Sequence, residues 1–322
     1  MRMVSYIHKT DLASHKPHLE EVSEGATTEY LVSRDYTYVV ANEQIVGEQC
    51  KEDVINYVST GKFMKLYIMT DLEGATGVVG HWDIIDPPGA EYQASRRLLT
   101  GDVNAAIEGA FTAGVDEILV NDGHGESRTH GILIDQIDSR VRLLRGRRPS
   151  ELEGLDETFD AMFIIAAHSM AGTTKGVLSH TESDSIVNMW INGKRVGEIG
   201  IFAAIAGHYN VPTVMLTGDL AAVKEAKDLI PNIKTVSVKE GRSRFSAICL
   251  PPEVTKRMIR EAAVNALGKV DEIQPYKFQP PLTVRIEHQD ALTVDQEAER
   301  KDRKRIDGRT VEYSAENMLY IF

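Results

Sequence analysis

The chain has 322 residues, 42% of them hydrophobic, which is enough for one large core or two smaller ones. Its formal net charge of −12 excludes a general nucleic-acid or anionic-membrane surface, which needs a basic stripe, and leaves small molecules, metals or proteins as partners. Cys50 and Cys249 stand far apart without CxxC spacing, which excludes a disulfide framework and a thiolate zinc site and fits a reducing cytoplasm.

The first residues, MRMVSYIHKTDLASHKPHLEEVSEG, lack the apolar core of a signal peptide, so the expected location is cytoplasmic. The segment EYLVSRDYTYVVANEQIVGEQC reads as a hairpin turning near Asn42, and KEDVINYVSTGK as a short helix ending at Gly61. Residues 1–63 hold no convincing chemical motif, and His8, His15 and His18 read as solvated. They are expected to form an N-terminal extension, ahead of a separate domain over 64–322.

From Lys65 the pattern predicts strands alternating with helices. KLYIMTD is a short apolar strand; Ser95 to Phe111 places Leu98, Leu99, Val103, Ala106, Ile107, Ala110 and Phe111 on one helical stripe before Gly114. EILVND and DAMFIIAAH follow as strands, the second with a run from Ala161 to Ala167 too short to span a bilayer. SIVNMWIN and GKRV make a hairpin turning at Asn192-Gly193, then come a helix carrying Ile199, Phe202, Ala203 and Ala206, and the core strand TVMLTGD. Pro251-Pro252 opens a helix with Val254, Met258, Ile259, Ala262 and Ala266 on one face and Gly268 as its stop; PLTVRIEH is a strand, and EAERKDRKRIDG a solvated helix or loop. The predicted fold is therefore α/β, a mostly parallel central sheet flanked by helices, with a smaller C-terminal α+β part. Ligand sites in such folds gather at the carboxyl ends of the strands.

Residues able to carry chemistry stand at those ends. Asp71 and Glu73 close the strand KLYIMTD two residues apart, so both carboxylates can face one site and serve a divalent metal, although acidic strand ends are also common without one. The GATGVVG that follows has the wrong spacing for a dinucleotide fingerprint. In Asn121-Asp122-Gly123-His124-Gly125 the glycines permit a tight loop and leave the His124 imidazole free for metal or proton, with Asp122 able to orient it; the plain alternative is a polar turn. His168 ends the strand MFIIAAH and His180 follows a short loop later, while Glu198 opens the helix EIGIFAAIAGHY, where a carboxylate is also favoured by the helix dipole. Three carboxylates and two or three imidazoles with no thiolate are the donor set of a hydrolytic zinc pair rather than a structural zinc site. Two such ions about 3.5–4 Å apart can polarise a carbonyl and activate water, which makes peptide or amide hydrolysis the natural outcome. Glu182 and Asp184 near His180 read as surface groups that could tune the pocket, His81 as a loop histidine beside Trp82, and Met189 and Trp190 as core. His130, His208 and His288 have no partner spacing.

The motifs MKLYIMTDLEGATGV, EILVNDGHG, FIIAAHSMAGTTKGVLSH and INGKRVGEIGIFAAIAGHYNVPTVMLTGD, in that order, resemble the zinc-dependent D-aminopeptidase family. The resemblance runs from Met64, where members of that family usually begin, to near Leu319. It implies metal ligation by Asp71, Glu73, His124, His168 and Glu198, a catalytic His180, two zinc ions per subunit, a small peptide or amide substrate and a ring-like homo-oligomer. The loop from His168 to His180 is slightly longer than in that family, and family members continue into another helix beyond the position of Phe322. Handedness of the substrate is not readable from ligands. A binuclear amidase acting on a non-peptide amide or an L-peptide, and a metal-dependent small-molecule-binding protein without turnover, are the alternative readings.

Overall fold

The apolar runs after Met64 become the inner strands of a parallel sheet. A computed structural model describes residues 63–87, 89–124 and 130–322, and before them only the backbone of three strands. By its contacts the chain divides into Met1–Lys62 and Phe63–Phe322.

In the first unit β1 (Thr28–Val32), β2 (Thr37–Ala41) and β3 (Gln44–Gln49) form an antiparallel sheet in that order. β2 and β3 pair antiparallel on either side of the turn expected near Asn42, a residue outside the described ones, and β1 adds a strand to them. The expected helix ending at Gly61, and His8, His15 and His18, lie outside the described residues.

The second unit is built on a seven-stranded sheet. Its strands are β4 (Lys65–Thr70), β5 (Glu117–Asp122), β6 (Arg142–Leu144), β7 (Ala161–Ala167), β10 (Thr213–Asp219), β11 (Lys234–Ser243) and β12 (Ser246–Cys249). The order across the sheet is β12-β11-β10-β7-β4-β5-β6, with only β12 antiparallel to its neighbour. Every residue of β7 and β10 is buried, as expected where both faces of a parallel sheet are covered. The chain moves outward from β4 to β5 and β6, then returns to β7 on the other side of β4. That reversal opens a crevice at the carboxyl ends of β4 and β7, the place where α/β sheets bind ligands.

Two helix pairs pack on this sheet: α1 (Ala90–Thr112) with α4 (Pro252–Leu267), and α2 (Glu198–His208) with α3 (Leu220–Leu229). The α1 stripe predicted from Leu98 to Phe111 is buried at Leu99, Val103, Ala106, Ile107 and Ala110, with Leu98 and Phe111 at its edges. At the α1–α4 crossing a Cβ on Gly109 would lie 2.4 Å from the Arg260 carbonyl oxygen and 2.8 Å from Ala263 Cβ. Alanine favours a helix over glycine by about 1 kcal/mol, but overpacking a close crossing costs about 1–3 kcal/mol. The expected outcome for Gly109→Ala is therefore a lower urea midpoint with an unchanged slope; an unchanged or raised midpoint would show that the helices part freely.

A second, antiparallel sheet has the order β14-β15-β13-β8-β9. It joins β8 (Ile186–Ile191) and β9 (Lys194–Val196) from the middle of the chain to the C-terminal β13 (Leu282–His288), β14 (Lys304–Arg305) and β15 (Thr310–Ala315). The predicted C-terminal α+β part is thus completed by the hairpin at Asn192-Gly193, whose two residues have φ of 50° and 78° as a two-residue hairpin turn requires. The charged run EAERKDRKRIDG begins at the last residue of the short α5 (Ala291–Glu297) and contains β14. Among the described residues no helix is long and apolar enough to cross a membrane.

Candidate metal centre

Asp71, Glu73, His124 and His168 come from the ends of β4, β5 and β7, and Glu198 is the first residue of α2. The loop after β4 is stitched to β7: Asp71 N donates to Ile165 O at 2.9 Å and Gly74 N to Ala166 O at 2.7 Å. A Cβ on Gly74 would stand 2.1 Å from Ala167 O, so only glycine lets the loop approach β7 this closely. Ala166 has φ 66°, and its N–H is taken by the Thr217 hydroxyl at 2.8 Å, a local kink that turns His168 toward Asp71.

The donor atoms converge. His124 Nδ1 lies 3.2 Å from Glu73 Oε2 and 3.4 Å from Asp71 Oδ1. His168 Nε2 lies 3.3 Å from Asp71 Oδ2 and 3.2 Å from Glu198 Oε2. His180 stacks on His168 with ring centroids 3.9 Å apart, and its Nε2 stands 3.9 Å from Glu73 Oε1 and 3.8 Å from Glu198 Oε1. All six predicted residues are therefore brought together. Asp71 belongs to two separate three-residue groups able to hold an ion, one with Glu73 and His124 and one with His168 and Glu198; Glu73, His168 and His180 make a third.

Each imidazole has its second nitrogen on a backbone carbonyl. His124 Nε2 is 3.1 Å from Ile85 O, His168 Nδ1 3.0 Å from Ser169 O, and His180 Nδ1 2.8 Å from Leu178 O. A carbonyl only accepts, so a proton sits on that nitrogen and the other nitrogen is the one turned to the carboxylates, able to ligate a metal once deprotonated. Asp122 works one step behind, accepting from Gly131 N at 2.9 Å and Ile132 N at 3.2 Å. Arg148 donates to the carbonyls of Asp122 and Gly123 at 2.9 Å each.

Burial and the neighbouring Glu73 charge push Asp71 up to about 7. Burial opposes charge on Glu73 too, but His124 holds its carboxyl well below the usual range. His124 and His168 are raised well above an ordinary imidazole despite burial, by Glu73 and Glu198 respectively. Burial, then the charge of His168, lowers His180, which is neutral at physiological pH.

Residues 64–322 match the model of a peptidase family described as D-aminopeptidase. The chain belongs to the D-aminopeptidase family. It is accordingly a peptidase, a hydrolase of peptide bonds. A D-aminopeptidase of Bacillus subtilis is 36% identical over 220 residues, covering 68% of this chain and 78% of that relative. A solved structure of a zinc-dependent D-aminopeptidase from Bacillus subtilis, described as a self-compartmentalizing protease, superimposes with a TM-score of 0.76 at 32% identity. It covers 80% of this chain and 93% of its own.

The residues of this D-aminopeptidase family member fit zinc. His168 Nε2 is buried with no hydrogen-bond partner, although two carboxylate oxygens stand within 3.3 Å of it. A buried imidazole nitrogen between two carboxylates, with Ser169 O holding the other nitrogen's proton, suits a cation that takes the place of its own proton.

Lys239 of β11 supports the loop and is not a residue the sequence reading singles out. It is fully buried, and its ammonium donates to the carbonyls of Glu73, Ala75 and Val78 at 2.5, 2.8 and 2.6 Å. Burial lowers it to about 8, so it keeps its charge at neutral pH. Methionine there fills the space and removes all three donors. Loss of such outer support typically weakens metal binding about 10–100-fold. Lys239→Met is expected to shift chelator competition for zinc by that factor; unchanged affinity would remove Lys239 from the site's support.

The rim of the centre holds Trp82, edge-on to His180 at 5.6 Å, with Arg244 4.8 Å over the Trp82 ring. His81 is exposed and packs on Phe245, not on Trp82. Asp184 is exposed and paired with Arg244 at 2.7 Å, as a surface group should be. Glu182 is different from the expected surface carboxylate. Its backbone N–H donates to Glu198 Oε1 at 2.6 Å, and burial and the Glu198 charge raise its carboxyl well above the usual range. Met189 is buried as predicted, while His288 is buried beside Glu297 at 3.6 Å, a pairing its spacing does not announce.

Proposed function

We propose that the protein is a two-zinc aminopeptidase that removes a D-configured N-terminal residue from short peptides. The observation that carries the two-ion reading is Asp71, which stands in two distinct ligand groups at once. Glu73 and His124 complete one, His168 and Glu198 the other. Membership of the D-aminopeptidase family and the zinc dependence of the Bacillus subtilis relative support the metal and the substrate class.

Bound there, two zinc ions supply Lewis acidity to the scissile carbonyl and lower the pKa of an attacking water. The chain's own residues do the rest. The Ile85 and Ser169 carbonyls hold the imidazoles of His124 and His168 in the ligating tautomer. His180 holds its proton on Nδ1 and presents a bare Nε2 between Glu73 and Glu198, where it can take a proton and return it to the leaving amine. Leu72, Ala75 and Val78, in and after the loop that carries Asp71 and Glu73, are buried and keep the chain behind those ligands dry.

The self-compartmentalizing relative supports a ring-like homo-oligomer here as well. Exposed Phe245, Ile248 and Leu250 beside edge strand β12 are apolar surface of the kind such an assembly would cover.

Paired D-Ala and L-Ala dipeptides and amides, offered to metal-free protein before and after zinc, test the proposal. Zinc-dependent release of D-alanine in preference to L-alanine is the expected result. Faster cleavage of L-peptides or of non-peptide amides would reassign the substrate, and tight zinc binding without turnover would replace the enzyme by a binding protein.

A further inference from the structure

An aminopeptidase must recognise a free ammonium group close to the bond it cuts. Asp71, Glu73 and Glu198 are spoken for as ligands, and Asp184 is engaged at the surface with Arg244. Among the described residues Glu182 is a further carboxylate at Glu198 to which none of these roles falls, whereas Glu225 already accepts from Met170 N.

Glu182 lies two residues beyond His180, and its backbone N–H donates to Glu198 Oε1 at 2.6 Å, which ties its position to the centre itself. Its φ is 58°, a left-handed conformation that a non-glycine residue keeps only where the surroundings dictate it; such residues gather at active sites. Its side-chain Oε1 is buried and has no hydrogen-bond partner. A carboxylate only accepts and an ammonium carries three donors and no acceptor, and an incoming positive charge offsets the burial and the Glu198 charge that hold the Glu182 carboxyl up in the empty site, so the two are complementary. A buried acceptor without a donor costs stability, and a strained backbone that keeps it at a catalytic centre points to a ligand that supplies the donor.

We infer that Glu182 accepts the N-terminal ammonium of the substrate and thereby makes the enzyme an aminopeptidase rather than a general amidase. The inference rests on the peptidase reading above. Glu182 sets the distance from the free amine to the scissile carbonyl, so a peptide whose amine is acylated or missing loses its anchor. The sequence reading leaves Glu182 on the surface because nothing local signals that SHTES turns inward.

The test compares a ligand that has the amine with one that lacks it, on zinc-loaded protein. D-alanine p-nitroanilide and propionyl p-nitroanilide are the substrates, and alaninamide and propionamide the ligands for calorimetry. In the wild type the amine-bearing member of each pair is favoured. In Glu182→Gln that preference is expected to fall roughly 10–100-fold, the range for one charge-assisted hydrogen bond, chiefly through KM and Kd. Glu182→Asp keeps a carboxylate and is expected to recover part of the preference. Zinc content of each variant is measured alongside. An equal loss for both members of the pair, or a preference unchanged in Glu182→Gln, overturns the inference. Failure of the wild type to cleave either p-nitroanilide would count against the peptidase reading alone, because the calorimetric pair still decides whether Glu182 holds the amine.

Discussion

Zinc added to the metal-free wild-type protein should raise its melting temperature by on the order of 10 °C, and should do nothing of the kind to Asp71→Asn. The magnitude follows from linkage: an ion present at about 1,000 times its Kd, binding only the folded chain, stabilises by about 4 kcal/mol. Asp71 is the shared member of two ligand groups, so one amide in its place weakens both at once. The amide should not unfold the protein. Burial and Glu73 already disfavour the Asp71 charge, so a neutral group of the same shape relieves repulsion in the metal-free state.

The pH dependence has a definite sign. Asp71 is raised to about 7 from an ordinary carboxylate value, so it subtracts stability progressively as pH rises toward 7. His124 and His168 are raised well above 6.5, so the stability they add is full below that value and is lost as pH climbs through their folded values. All three therefore weaken the metal-free protein on going from pH 5 to pH 8, while zinc, which must displace their protons, binds more tightly over the same interval. The zinc-induced shift should grow with pH, and calorimetry in buffers of different ionisation enthalpy should detect proton release. A shift of equal size in Asp71→Asn would show that the ions sit elsewhere.

His180→Ala should keep the zinc shift and lose turnover by about 10²–10⁴-fold, the usual contribution of a positioned acid–base group. His180 Nε2 is 3.8–3.9 Å from the carboxylate oxygens it faces, further than His124 or His168 are from theirs. Its lowered pKa keeps the ring neutral at pH 7, and zinc nearby would push it the same way. The wild-type rate should therefore fall as pH drops through that lowered value, and the limb should vanish in His180→Ala. Loss of zinc binding in the variant would instead make His180 a third imidazole ligand, the role open to it in the group with Glu73 and His168.

How far the fold is legible in the sequence depends on the range of the interactions that build it. KLYIMTD, EILVND and DAMFIIAAH are continuous apolar runs, and such runs become inner strands of a parallel sheet because both faces must be covered. Once they are strands, Asp71, His124 and His168 stand at carboxyl ends with no further information needed. The Asn192-Gly193 turn is equally local, since both residues tolerate the left-handed backbone a hairpin turn demands. Glu198 follows from that hairpin. Edge strands β6, β12 and β14 span only 3, 4 and 2 residues, too short for a periodicity that separates them from loop.

What the sequence by itself determined was the set of chemical groups and the strand ends that carry them, because hydrophobic periodicity and turn chemistry act within a few residues. The tertiary structure alone decided which distant groups serve those ligands. Nothing in the local sequence singles out Lys239, yet it is buried because three carbonyls more than 160 residues away in the chain surround its ammonium. Glu182 reads as surface and is drawn inward by Glu198, a residue of another element. Burial of a charge depends on partners that only folding brings within reach, and so it leaves no mark on the residues around it in the chain.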